Sequence, residues 1–126
     1  MSFTNFLETE ILDHVFAGSA YTAPSTLYMA LYTAAPGETG GGTEVSGTGY
    51  VRQTVAFTTA GNTTSNNAAV EFPTAGASWG TVTHVGVFDA SSSGNLMAYA
   101  ALTTSKTIDS GDVFRVPNGD LDITLD

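Results

Sequence analysis

The sequence predicts a mainly β fold: an antiparallel β-sandwich or jelly roll of seven to eight strands, preceded by one N-terminal amphipathic α-helix. Two observations predict the strands and a third the helix. Short apolar runs alternate with polar or small residues along Leu27–Thr33, Val51–Phe57, Ala68–Phe72, Thr81–Asp89, Asn95–Leu102, Val113–Val116 and Leu121–Leu125. Between them fall Pro36-Gly37, Gly40-Gly41-Gly42, Gly61-Asn62, Ser93-Gly94-Asn95, Ser110-Gly111-Asp112 and Pro117-Asn118-Gly119-Asp120, all turn-forming chemistry. Only the first stretch of the chain carries the three- and four-residue apolar spacing of a helix.

That helix is expected at about residues 5–17. Phe3, Phe6, Leu7, Ile11, Val15 and Phe16 fall on one stripe, and Glu8, Glu10 and Asp13 lie off it. Asn5-Phe6-Leu7-Glu8 fits a capping box, and Gly18 suits a left-handed stop. The stripe has two readings: it covers an open end or face of the sandwich, or it docks into a partner's groove or against the helices of symmetry mates. The sandwich is expected over about 27–126, with Leu121, Ile123 and Leu125 facing inward in the last strand. A long glycine-rich loop at 36–49 reads as exposed, or as an arm gripping a neighbour.

Composition bounds the function. At 126 residues the chain is one domain, 1–126, and buries roughly 65–70% of its unfolded surface, enough to fold without a staple. There is no cysteine, hence no disulfide and no thiol nucleophile. Charged residues make up 12% of the chain, against about 25% in ordinary domains. The formal charge is −9, and no Lys or Arg stands between Arg52 and Lys106. Such a surface does not neutralise phosphates, so neither a nucleic acid nor an anionic membrane is expected as partner. The opening residues have no basic region of a signal peptide, and no apolar stretch approaches the ~20 residues that span a bilayer, so a soluble chain is expected.

Ser78–Leu102 concentrates the residues that resemble a site: Trp79, His84 and Asp89. His84 and Asp89 are five apart in one strand, and strand side chains alternate, so they fall on opposite faces. His84 is expected to share a face with Val82 and Phe88 as a half-buried, satisfied histidine. Asp89–Asn95 reads as the hairpin connection. Trp79 reads as a plug at the end of the sandwich or an interface, with a sugar-stacking platform as the alternative. Gly-Glu-Thr-Gly-Gly-Gly-Thr-Glu at 37–44 lacks the Gly-Lys-Ser/Thr of a P-loop. No Gly-x-Ser-x-Gly nucleophile elbow is expected, and the acids of "DSGD" and "NGDLD" lack calcium-loop spacing. No catalytic residue, metal ligand or cofactor site is therefore expected.

The chain resembles a family of small tailed-bacteriophage virion proteins. The resemblance is carried by "NFLETEILDHVFAGSAYTAPSTLYMALYTAAPGETGGGTEVSGTGYVRQTVAF", "AVEFPTAGASWGTVTHVGVFDASSSGNLMAYAAL" and "TTSKTIDSGDVFRVPNGDLDITL", in that order and almost end to end. It implies a non-enzymatic, jelly-roll-like homotrimer, made in the host cytoplasm and mounted on the virion. A capsid cement (decoration) protein that stabilises the major capsid protein lattice from the capsid exterior is favoured. A tail-fibre or baseplate subunit comes second, and a carbohydrate- or receptor-binding module third. For an assembling subunit, Phe3, Phe6, Leu7, Tyr28, Tyr32 and Trp79, with the 36–49 loop, are the expected interface, because anchors are rich in aromatics.

Overall fold

A computed structural model describes all residues, 1–126. In chain order the elements are β1 (Ser2–Phe3), α1 (Asn5–Phe16), β2 (Leu27–Ala34), β3 (Thr43–Glu44), β4 (Gln53–Val55), β5 (Phe57–Ala60), β6 (Thr63–Asn66), β7 (Val70–Glu71), β8 (Gly80–Phe88), β9 (Leu96–Ile108), β10 (Arg115–Val116) and β11 (Asp122–Thr124). The protein is mainly β, an antiparallel sandwich with one N-terminal helix. No helix is long and apolar enough to cross a membrane.

The two layers are unequal. A six-stranded sheet runs β1-β9-β8-β2-β3, with β4 also paired to β2. Opposite it stand the three-stranded β11-β6-β5 and the two-stranded β10-β7. Alternation fixes which side chains meet between them. Met29 and Leu31 of β2 and Val82, Val85 and Val87 of β8 face Val70, Phe72, Phe114 and Leu121 in one core. Phe72 anchors it, stacked on Tyr50 with centroids 6.0 Å apart and edge-on to Phe114 at 5.8 Å. The other face of the large sheet carries a smaller cluster of Ala30, Tyr32, Phe88 and Leu96. Gly86 sits among them because a Cβ there would come within 2.7 Å of Leu96 Cδ1.

The strand count exceeds the expected seven to eight because β1 and β3, two-residue pairings too short to show a period, and β6 were not expected, and one expected strand is split in two. Val51–Phe57 is not one strand. The chain changes sheets at Ala56, leaving Val51 exposed, Val55 buried in the large sheet's layer and Phe57 in the small sheet. β6 is a polar Thr-Thr-Ser-Asn run with no apolar signal, and it forms a hairpin with β5 around Gly61-Asn62. In the last strand Leu121 is buried but Leu125 is exposed, because β11 ends at Thr124.

The helix starts one residue earlier in its capping than expected. Thr4, not Asn5, is the N-cap, and no side-chain capping bond forms. The Thr4 hydroxyl instead donates to Leu96 O at 2.6 Å, and its N–H donates to Met97 O, nailing the helix to the start of β9. At the far end Gly18 takes φ +72° and the N–H groups of Ala17 and Ser19 converge on Asp13 O, as a left-handed stop requires.

Candidate assembly surface

The expected site residues divide between core and surface. Trp79 is 5% exposed and packs in the main core, edge-on to Tyr50 at 5.5 Å, with its indole N–H donated to Thr48 O at 3.0 Å. Tyr32 is 3% exposed and stacks on Phe88. Neither presents a surface to a neighbour, so as interface anchors both are corrected, and the sugar-platform reading of Trp79 goes with them. The aromatic signal that selected them reports burial here. Tyr28, Phe3, Phe6 and Leu7 are half-buried, with Tyr28 against the Tyr32–Phe88 cluster and Phe6 edge-on to Tyr21.

The 36–49 loop is not a free arm. Pro36 and Val45 are buried, and β3 pairs Glu44 with Tyr32 and Thr43 with Ala34. Gly42, at φ +75°, lets the chain double back, since a Cβ there would lie 2.5 Å from the carbonyl oxygens of Ala34 and Ala35. Glu38 O accepts the Asn5 N–H, and the Glu38 carboxylate accepts the Tyr99 hydroxyl, tying the loop to the root of α1.

Arg52 organises the surface of the second cluster. Its Nε and Nη2 donate to the two oxygens of Glu44 at 2.9 and 2.8 Å, and its Nη1 donates to Ala90 O and Ser93 O. Tyr50 completes the group, donating its hydroxyl to Glu44 Oε2 at 2.6 Å and accepting the Leu31 N–H. Burial pushes the Glu44 carboxyl up, but the bonds from Arg52 and Tyr50 outweigh it and hold the group below its ordinary value. Burial first, then the bond to Glu44, pushes the Tyr50 phenol far up. Each polar atom of this trio already has a partner in the chain. Sequence reasoning missed it because Glu44, Tyr50 and Arg52 are brought together by the β3–β2–β4 fold-back and not by spacing.

The other polar candidates are local. Asp89 accepts from the Asn95 N–H at 2.7 Å and from Asn95 Nδ2 at 3.0 Å, closing the β8–β9 hairpin as its position predicts. His84 is half-buried with Nδ1 2.9 Å from Thr83 Oγ1. It shares a face with Gly86 and Phe88 but not with Val82, because β8 shifts register between Val82 and His84. Gly76-Ala77-Ser78-Trp79-Gly80 does spell Gly-x-Ser-x-Gly, but it leads into a strand, whereas the elbow needs a strand-to-helix turn. Asp112 accepts the Asp109 N–H across Ser110-Gly111, and no three His, Asp or Glu side chains converge as metal ligands.

Two apolar features remain on the surface. The outer face of α1 shows Leu12, Val15 and Phe16, which are 57%, 60% and 80% exposed. The single stripe expected from sequence is thus split. Phe6, Leu7 and Ile11 are half-buried, and no residue of α1 is fully buried, so the helix neither caps nor covers the sandwich with Val15 and Phe16. The second feature is a cleft of about 800 Å³ beside β9, between Ala100–Ile108 and the Asp112–Asp122 segment. It exposes the end of the main core, with Met29, Val85, Leu102, Ile108, Phe114 and Leu121 in its walls. It opens where β9 bulges. Leu102, Thr103, Thr104 and Ser105 stand against Thr83 alone, and β1 covers the outer edge of β9 only at Ala98 and Tyr99.

Among protein families, the model described as podophage GP4 fiber I protein gp80 matches residues 2–124. No curated protein matches the chain.

Proposed function

This chain belongs to the family of podophage GP4 fiber I protein gp80, and from that premise we propose that it is a subunit of a virion fibre, acting by assembly and not by catalysis. It is a tailed-phage structural protein and virion-associated. The family match over residues 2–124 carries the reading, because it spans nearly the whole domain. The outward apolar face of α1 supports it: exposed apolar patches on a folded domain mark interaction sites.

The copy number we propose is three, which the virion resemblance implies. Closed symmetry repeats one modest contact around an axis, and a multivalent particle then gains avidity when several subunits engage a neighbouring virion protein together. We place the subunit in a tail fibre, since the family description names a fibre. The capsid cement role, with the major capsid protein as partner, has the earlier resemblance as its sole support and stands second. Gold labelling of intact particles with an antibody to this chain tests the placement. Label along fibres at the tail is expected, and label confined to the capsid shell would replace the fibre with the cement role.

A further inference from the structure

The turn between β10 and β11 runs Pro117-Asn118-Gly119-Asp120 and holds the chain's single Asn-Gly pair. The Asp120 N–H donates to Pro117 O at 3.2 Å, Gly119 takes φ +84° and Asn118 keeps a negative φ, the pattern of a type II turn. Asn118 and Gly119 are exposed, but the residue that holds their segment is buried. Asn66 donates Nδ2 to Pro117 O, accepts the Leu121 N–H on Oδ1, and accepts the Gly119 N–H on its backbone oxygen. Three backbone groups of the segment thus hang on one side chain and one carbonyl.

An asparagine loses its amide where the next backbone nitrogen can reach its carboxamide carbon, and a Cβ on that next residue obstructs the approach. The chain's asparagines differ in both respects. Asn62, Asn66, Asn67 and Asn95 each donate Nδ2 to an acceptor in the chain. The residues that follow them are Thr63, Asn67, Ala68 and Leu96, all with side chains. Asn5 is held in the first turn of α1, with Phe6 next. Asn118 alone joins an exposed carboxamide that makes no hydrogen bond to a following glycine, and the space where a Gly119 Cβ would stand is open.

We propose that Asn118 is a deamidation site and that its isoaspartyl product releases the β11 segment from Asn66. The Gly119 nitrogen attacks Asn118 Cγ. The N–Cγ bond forms, the Cγ–Nδ2 bond breaks, and ammonia leaves with the proton of that nitrogen. Water then opens the cyclic imide. Addition at Cγ gives aspartate, and addition at the Asn118 backbone carbonyl gives isoaspartate, whose main chain runs through Cβ and Cγ. Either product adds a negative charge close to Asp120 and Asp122 in a chain already at −9. Isoaspartate also lengthens the turn by one backbone carbon, so Pro117 O, Gly119 N–H and Leu121 N–H lose the spacing that Asn66 matches. The fold sets the pace. The Gly119 N–H is donated to Asn66 O at 2.9 Å, which holds its proton, so the reaction proceeds in molecules whose turn has opened locally.

The intact chain is incubated in warm, mildly alkaline buffer, with and without urea, then digested and mapped by mass. The mass change of an amide-to-acid conversion is expected at Asn118 before any other asparagine, and faster by roughly tenfold or more in urea, where the turn is open. Asn118→Gln is expected to remove it. Conversion that appears first at another asparagine, or a folded chain left unmodified at Asn118 while the urea sample converts, overturns the site. Equal rates with and without urea overturn the pacing by Asn66 O. The added charge lets anion exchange separate aged from fresh protein, and isoaspartyl methyltransferase labelling identifies the isoaspartyl fraction. In that fraction hydrogen exchange at the Leu121 amide is expected to rise by roughly tenfold or more while β2 keeps its protection. Equal Leu121 exchange in fresh and isoaspartyl protein overturns the release.

Discussion

The Arg52 guanidinium lies 3.6 Å from the centroid of the Phe88 ring. From that position it holds Glu44 of β3 and the Ala90 and Ser93 carbonyls of the β8–β9 turn, so one side chain links the fold-back loop, a neighbouring strand and a hairpin tip. The planar fork is what allows this, since each nitrogen points at a different acceptor. In a chain with three basic residues, one is spent on internal architecture.

Arg52→Met is expected to destabilise the domain by about 2–3 kcal/mol, less than for a fully buried pair because Glu44 keeps some contact with water. Arg52→Lys keeps the charge but cannot reach Glu44 and both carbonyls at once, so most of the loss remains. Urea denaturation of the three proteins measures this. Full stability in the lysine variant would show that charge alone, and not the fork, holds the loop.

The same trio sets a pH profile. Glu44 is depressed in the folded state, so its contribution is present above the ordinary value of 4.5 and is lost as pH falls through the folded value. Tyr32, pushed up to about 12 chiefly by burial and then by the Glu44 charge, acts in the other direction. Its phenol stays protonated in the fold after the unfolded chain has ionised near 10, so stability falls from there as pH rises through about 12. Tyr50 shifts the same way. Melting temperature against pH is expected to show a plateau with two falling limbs. Glu44→Gln makes the acid limb shallower and Tyr50→Phe the alkaline limb; an acid limb that Glu44→Gln leaves unchanged contradicts this.

Gly47 is required by Trp79. A Cβ at Gly47 would lie 2.4 Å from Trp79 Cδ1 and 3.2 Å from Ser78 O, so Gly47→Ala must displace the indole from its bond to Thr48 O. We expect a loss of about 1–3 kcal/mol, as for overpacking elsewhere. The chain has one tryptophan, so its emission reports the change directly. Wild-type emission is expected to be blue and poorly quenched by iodide, and the variant's red-shifted.

Asn66 joins β6 to the C-terminal segment. It is 1% exposed, donates Nδ2 to Ala68 O and Pro117 O, and accepts the Leu121 N–H on Oδ1. Asn66→Ala leaves those buried groups without partners and is expected to cost about 2–4 kcal/mol. Hydrogen exchange at the Leu121 amide should rise more than in β2. Uniform exchange across the domain would show that Asn66 does not hold this segment individually.

Much of the fold was legible because local periods survive where an element is long. The helix, β2 and the β8–β9 hairpin with its Asp89–Asn95 turn were readable from spacing and turn chemistry. Alternation failed where the chain broke its own period. The register shift after Val82 separates His84 from Val82, and the sheet change at Ala56 divides Val51–Phe57. β6 was invisible because Thr63–Asn66 is held by pairing to β5 and β11, not by an apolar face. Which apolar residues stay outside was legible only in part. Aromatic type pointed to Trp79 and Tyr32, which the core consumes, while Leu12 was never singled out. Spacing alone could not tell the face of α1 that packs from the face that is left outside.

Sedimentation velocity of the purified chain at micromolar concentration tests the assembly reading most directly. A stable, closed oligomer, three copies by our proposal, is the expected species. A single monomer boundary that persists as concentration rises would contradict it.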